Sequence, residues 1–183
     1  MLLLKIIIKK GKEIMATPAL RLAISNTIPT FTSIIEADPQ DIIFDMDGTL
    51  ADVSHRKHFV ENKPKNWESF YKAMINDKPN SPVIMIARLL KEAGHRILIA
   101  TGRPSRYQIP TIRFLDTVGV SYDEIYLRND NDYRPDTVVK EYMLRKMRND
   151  GYRPTIAFDD RKSVVEMWRL HDLFVFQVAE GDF

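Results

Sequence analysis

Five short apolar runs punctuate this chain, and each breaks off into polar or turn residues: Ile42-Ile43-Phe44, Ile97-Leu98-Ile99-Ala100, Ile125-Tyr126-Leu127, Thr155-Ile156-Ala157-Phe158 and Phe174-Val175-Phe176. Each is too short for a helix. A continuous apolar run of this length suits a strand whose sheet is covered on both faces. Helical patterns fill the gaps. Ser81-Pro82 reads as an N-cap and first helical position and Gly94 as the residue past the end, with Ile84, Ile86, Ala87, Leu90 and Ala93 on one face. Tyr107–Val118 reads as a second helix stopped by Gly119, Asp136 as the cap of a third running to about Arg148, and Ser163–Leu170 as a fourth. Strands alternating with helices predict an α/β fold, a Rossmann-like parallel sheet sandwiched by helices and joined by right-handed crossovers. In such sheets ligands sit beyond the carboxyl ends of the strands, so chemistry should follow the apolar runs directly.

It does. Asp45-Met46-Asp47-Gly48-Thr49-Leu50 follows the first run, Thr101-Gly102-Arg103 the second, and Asp159-Asp160-Arg161 the fourth, with Lys140 near the start of the third helix. Alone, each piece has an ordinary explanation: a loop carboxylate pair, turn punctuation, a helix cap, a solvated lysine. Together they meet the demands of attack on a phosphate monoester. An anionic nucleophile approaching an anionic phosphate needs positive charge, which a lysine and a hard divalent cation held by carboxylates supply; Mg²⁺ favours a few protein oxygens plus substrate phosphate. A carboxylate nucleophile splits one hard step into two through an aspartyl-phosphate. A second carboxylic acid can protonate the leaving oxygen and then take a proton from the attacking water.

Charge and composition exclude other classes. The chain has 183 residues, no cysteine and a formal net charge of +2. Without cysteine there is no disulfide framework, thiolate zinc site or cysteine nucleophile. Residues 1–40 carry five Lys/Arg against three acids, which leaves 22 of each sign in residues 41–183. A bulk electrostatic nucleic-acid binder is excluded, and any nucleic-acid contact must be local. Residues 1–40 read as an N-terminal extension, disordered in the simplest case, with no chemistry assigned. Met1–Ile14 is either an upstream extension ahead of Met15 or an edge strand; its apolar stretch is interrupted by Lys5 and is far short of the ~20 residues of a membrane span. No membrane partner is expected, and the location expected is cytoplasmic. Whether Met167 and Trp168 face the sheet or a second subunit leaves an oligomer open.

DMDGTL, TGR, a downstream Lys and FDD, in this order, resemble the haloacid dehalogenase superfamily of aspartate-nucleophile phosphatases. That resemblance implies a haloacid dehalogenase-like domain over 41–183 with a small cap insert at about 51–80. It implies Asp45 as nucleophile, Asp47 as general acid/base, Thr101 as a phosphoryl ligand, Lys140 as the neutralising cation, and Asp45, Asp47, Asp159 and Asp160 as the Mg²⁺ site. A narrower likeness lies in Asp132-Tyr133-Arg134-Pro135-Asp136-Thr137-Val138-Val139-Lys140-Glu141 and in the stretch from Val165 to Phe183, which is similar to the phosphatase half of the phage polynucleotide kinase/3′-phosphatases. It implies a phosphorylated nucleic-acid end or nucleotide as partner, a part in end repair such as DNA repair, and Gly102, Arg56, Arg103, Arg128 and Arg161 at the substrate. None of the seven glycines starts a G-x-x-x-x-G-K-[ST] loop, so no kinase activity is expected. Ala51–Asn80 departs most from the family and puts the substrate in question. Trp67, Phe70 and Tyr71 there could stack on a base but fit better as the packing face of a short cap helix, and His55 and His58 fit better as surface residues than as metal ligands. The alternatives are a nucleotidase for free nucleoside monophosphates, a broad acid phosphatase, and a catalytically silent module that binds phosphorylated ends.

Overall fold

The structure, a computed structural model, describes residues 38–181; the expectations for residues 1–37 lie outside the described residues. The chain runs β1 (Asp41–Phe44), β2 (Ala51–Asp52), α1 (His58–Glu61), α2 (Trp67–Lys72), β3 (Lys78–Pro79), α3 (Ser81–Glu92), β4 (Arg96–Pro104), α4 (Gln108–Thr117), β5 (Glu124–Arg128), α5 (Asp136–Asn149), β6 (Pro154–Asp159), α6 (Lys162–Leu170) and β7 (Phe174–Gln177). Five strands form one parallel sheet in the order β5-β4-β1-β6-β7. The order reverses at β1, so β1 lies centrally between β4 and β6 and its carboxyl end opens into the crevice where such sheets bind ligands.

Alternation along β1 divides the core. Ile43 packs with Leu98, Val139, Leu144 and Trp168 on the α5/α6 face. Ile42 and Phe44 pack with Ile84, Ala87, Ile97 and Leu115 on the α3/α4 face. Because both faces are covered, β1 is apolar at consecutive positions, which is why it reads as a run rather than an alternation. Phe44 stacks on Phe158 at 4.4 Å, and Phe158 on Phe176 at 4.7 Å, tying three strands through their rings. At the opposite end of the sheet Arg96 Nη2 donates to Asp41 Oδ2 at 2.7 Å, pairing the first residues of β4 and β1. Met167 and Trp168 belong to the buried core on the sheet. Among the described residues no helix is long and apolar enough to cross a membrane.

Each helix start read from the sequence differs by one residue, α4 beginning at Gln108 and α6 at Lys162. α3 begins at Ser81, with Asn80 in the N-cap position and Pro82 one place further in. α5 begins at Asp136 after Pro135, and the Asp136 side chain makes no capping bond. The physical reason is that this carboxylate faces cations instead of the helix end, as described below. The segment between β1 and α3 is closed at its base by an antiparallel pairing, Ala51 with Pro79 and Asp52 with Lys78. Within it Val53, Val60 and Phe70 form a small core of their own.

Candidate active site

Asp45 is the first residue beyond β1, and its backbone N–H donates to Phe158 O at 3.0 Å, which fixes it level with the end of β6. Lys140, on α5, reaches back to the sheet: its Nζ donates to Asp45 Oδ1 at 2.7 Å and to Asp159 Oδ2 at 2.9 Å. Asp159 also accepts from Trp168 Nε1 at 3.1 Å and from the backbone N–H of Arg161 at 3.1 Å. Asp45, Asp159 and Asp160 each offer an oxygen, all within 4.8 Å of one another, and all three are buried. Burial pushes the Asp45 carboxyl well above the usual range; Lys140 pulls the other way, and the charges of Asp159 and Asp160 add to the rise. Burial, then the charge of Asp159, lifts Asp160 to about 6. Burial opposes the charge on Lys140, but Asp159, Asp45 and Asp136 outweigh it and hold the ammonium well above its ordinary range. The cluster is short of positive charge, and its hard oxygen donors suit a hard divalent cation.

Asp160 has almost no room to move. A Cβ on Gly181 would lie 1.8 Å from Asp160 Oδ2, and one on Gly48 would lie 2.1 Å from it. Gly48 also has φ +93, a conformation that L side chains rarely adopt. Gly181 N–H donates to Asp160 O at 3.0 Å, so the stretch that carries Gly181 is strapped onto the backbone of Asp160 itself.

Asp47 lies across the cavity in a different charge environment. Arg56 Nη2 donates to Asp47 Oδ1 at 2.7 Å and Arg103 Nε to the same oxygen at 2.8 Å. Both arginines also bind Asp77: Arg56 through Nε (2.7 Å) and Nη2 (2.6 Å), Arg103 through Nη2 (2.8 Å). Burial pushes the Asp47 carboxyl up, but Arg103 and Arg56 outweigh it and hold it at about 2. Two guanidiniums facing two carboxylates make a neutral, charge-assisted network.

One cavity of about 50 Å³ gathers Asp45, Asp47, Gly102, Arg128, Lys140, Asp160 and Arg161, together with Asp136 and the aromatic residues Trp67, Phe70 and Tyr71. Asp159 stands behind it, holding Lys140. Arg56, Arg103 and Thr101, expected at the substrate, are buried and do not line it. Thr101 Oγ1 accepts from Arg103 N–H at 3.2 Å. Arg128 donates to Gly102 O (3.1 Å), Asp132 O (3.0 Å), Arg134 O (2.8 Å) and Asp136 Oδ1 (2.9 Å), so it binds the β5–α5 loop to the end of β4. Asp136 faces Arg128 and, at 3.5 Å, Arg161. Burial alone would raise its carboxyl; Lys140, Arg161 and Arg128 hold it below the usual range. His55 Nε2 lies 3.0 Å from Asp77 Oδ1, outside the carboxylate cluster.

Asp77, Asp136 and Gly181 were not singled out in sequence for these positions. Asp77 sits 21 and 26 residues from the arginines it holds, in a stretch with no motif. Asp136 carried a signal, an acid at a helix start, but the signal points equally to a cap.

An aspartate just beyond a central parallel strand, bridged by a lysine to a second buried aspartate, and a small insert after the first strand are the arrangement of a phosphatase of the haloacid dehalogenase superfamily. Residues 39–183 match the family described as the polynucleotide kinase PNKP phosphatase domain. The chain belongs to that family. Among solved structures, a chain of the Pnkp1/Rnl/Hen1 complex is 34% identical over 79% of this chain and 47% of its own length, with a TM-score of 0.66. A chain of the Pnkp1/Rnl/Hen1 RNA repair complex is 34% identical over 79% of this chain and 44% of its own, with a TM-score of 0.67. The chain thus spans less than half the length of these two relatives. The class C acid phosphatase from Bacillus anthracis, 17% identical over 70% of this chain and 55% of its own with a TM-score of 0.54, shares the fold. Phosphatases of this superfamily generally use a divalent metal, and the Asp45–Asp159–Asp160 cluster fits one.

Proposed function

We propose that this domain is a Mg²⁺-dependent phosphomonoesterase that removes 3′-phosphates from nucleic-acid ends or nucleotides through a phosphorylated Asp45. The observation that carries the reading is the single small cavity where Asp45, Lys140 and Asp160 meet Asp47. A cation there, held by Asp45 and Asp160 with Asp159 beside them, would screen the incoming phosphate from the nucleophile. Lys140 adds a fixed positive charge 2.7 Å from Asp45 Oδ1 and holds the side chain in place. An Asp45 oxygen bonds to phosphorus as the ester P–O bond breaks, and Asp47 gives its proton to the departing oxygen. Water then bonds to phosphorus, Asp47 takes its proton, the Asp45–phosphorus bond breaks, and orthophosphate leaves.

Held by Arg56 and Arg103, Asp47 is a carboxylate at neutral pH and a poor proton donor. Protonating the leaving oxygen requires Asp47 to turn from the arginines toward the cavity and take up a proton from solvent; once that proton is given away, the carboxylate left behind accepts one from the attacking water. We therefore assign Arg56 and Arg103 to positioning Asp47, and Arg128 and Arg161, which line the cavity, to the substrate. No kinase step is assigned to these residues.

Gly181→Ala is a specific check on the Asp160 assignment. The added methyl meets Asp160 Oδ2, and the carboxylate must shift. The expected result is a rise of about 10- to 100-fold in the Mg²⁺ concentration for half-maximal activity, the cost typical of disturbing a ligand's support. An unchanged Mg²⁺ dependence removes Asp160 from the metal site.

The 34%-identical relative from an RNA repair complex supports a nucleic-acid end over a small metabolite. The test compares kcat/KM for 3′-phosphorylated RNA and DNA oligonucleotides, a 3′-mononucleotide and a 5′-mononucleotide. We expect a 3′-phosphorylated oligonucleotide to lead. A strong preference for the 5′-mononucleotide overturns the reading in favour of a nucleotidase.

A further inference from the structure

The catalytic cavity, at about 50 Å³, has room for a phosphoryl group and little else. Beside it lies a second cavity of about 330 Å³, and the two share Trp67, Tyr71, Arg128, Asp136 and Arg161 as walls. Whatever carries the phosphate must therefore lie in the outer space, whose volume is at the low end for a small-molecule site.

The outer space has one built surface. On α2, Phe70 is 1% exposed and forms the packing contact expected of a cap helix, but Trp67, three residues earlier, keeps 39% of its surface open. Its indole is not loose. It lies 24° from coplanar with the Tyr71 ring, at 6.0 Å between centroids, and edge-on to Phe70 at 5.7 Å. Tyr71 rests on Tyr107 at 5.3 Å, and its hydroxyl donates to Gly102 O at 3.2 Å, at the end of the strand that lines the catalytic cavity. A rigid aromatic step thus reaches from the phosphoryl position to the mouth of the outer space. Lys65, which makes no ion pair among the described residues, sits 5.3 Å over the Trp67 ring. Arg106 and Arg134 line the same space, each beside a carboxylate, Asp130 and Asp132. A flat aromatic face covered by a mobile-chained lysine, with guanidiniums alongside, suits a nucleobase that takes the lysine's place over the ring and the phosphodiester that follows it.

We propose that the outer cavity is a nucleobase platform: the base of the nucleotide bearing the scissile phosphate stacks on Trp67 in the place Lys65 covers in the empty site, and the displaced Lys65 meets the next phosphate along the strand. The substrate class is then a nucleic-acid end whose terminal nucleotide is unpaired, since a base lying on Trp67 has left its own stack. The proposal rests on the reading of the cavity as a nucleic-acid phosphatase site and adds where the base goes.

The two tryptophans make the test direct, because Trp168 is fully buried and Trp67 is not. Collisional quenching by acrylamide reads Trp67, and a Trp67→Phe protein reports any residual signal from Trp168. In the Asp45→Asn protein with Mg²⁺, a 3′-phosphorylated single-stranded dinucleotide is expected to lower the quenching constant at least about twofold, the fall being absent in Trp67→Phe. Orthophosphate and a 3′-phosphorylated abasic dinucleotide are expected to leave it unchanged, and a blunt duplex 3′-phosphate to protect less. In the active protein, Trp67→Ala is expected to raise KM for the oligonucleotide by about 5- to 150-fold, with Trp67→Phe restoring most of the loss. Equal protection by orthophosphate, or equal binding of the abasic ligand, overturns the platform and leaves the phosphatase reading untouched. Protection of Trp67 by base-bearing ligands in a protein that hydrolyses only 5′-mononucleotides upholds the platform and overturns the 3′-end reading.

Discussion

Asp45→Asn is expected to abolish phosphate release, on the order of 10⁴-fold or more in kcat, the scale seen when a covalent nucleophile is removed. The substitution is nearly isosteric and keeps the side chain among the same neighbours, so the loss is chemical rather than structural. An amide oxygen cannot attack phosphorus and leave again at a useful rate. The fold should tolerate the change, because the native carboxylate is held against burial and against the charges of Asp159 and Asp160. The measurement is turnover of a 3′-phosphorylated oligonucleotide and of p-nitrophenyl phosphate, alongside the melting temperature. More than about 1% residual activity on either substrate removes Asp45 from the nucleophile's place. Retained binding with lost turnover also separates an enzyme from a silent end-binding module, since a binding module has no turnover to lose.

Asp160→Asn should stabilise the metal-free protein while destroying its response to metal. Burial and the neighbouring Asp159 charge hold the folded-state pKa of Asp160 at about 6, above the ordinary 3.8. An acid whose pKa rises on folding is ionised at a cost. The penalty is absent below the unfolded value, grows as pH rises, and is fully present above about 6. At pH 7.5 it is on the order of 1–3 kcal/mol. Removing that charge should raise the melting temperature of the metal-free protein by roughly 2–10 °C and flatten its dependence on pH between about 4 and 7. Mg²⁺ should raise the melting temperature of the unaltered protein, by about 2.7 kcal/mol of stability at 100 times Kd, and leave Asp160→Asn unmoved. A variant that melts lower without metal and still gains from Mg²⁺ shows that Asp160 is a structural residue.

These expectations draw on different depths of information. That the chain builds a parallel sheet was legible because β1, β4 and β6 are buried on both faces, and burial on both faces forces consecutive apolar residues. That Asp45, Asp47, Lys140, Asp159 and Asp160 deserved scrutiny was legible because a parallel sheet delivers its strand ends to one edge, so residues distant in sequence announce themselves by local position. The arginines were legible only as cations. Arg56 and Arg103 read as anion binders, and in the folded chain the anions they bind are Asp47 and Asp77, not the open cavity. Trp67 and Phe70, one helical turn apart, read alike; packing buried one and left the other at a cavity mouth.

The sequence by itself determined the order of strands and helices, the edge of the sheet where chemistry collects, and the charge types present there, because periodicity and strand-end position are local properties of a chain. Only the tertiary structure decided which charge meets which: that Asp47 is gripped by two guanidiniums, that Asp136 turns to Arg128 rather than to its own helix, that Gly48 and Gly181 wedge Asp160. Partner choice is set by distance and burial across tens of residues. A carboxylate's protonation follows from how much water and which charges the folded chain places around it, and no pattern along the backbone encodes that.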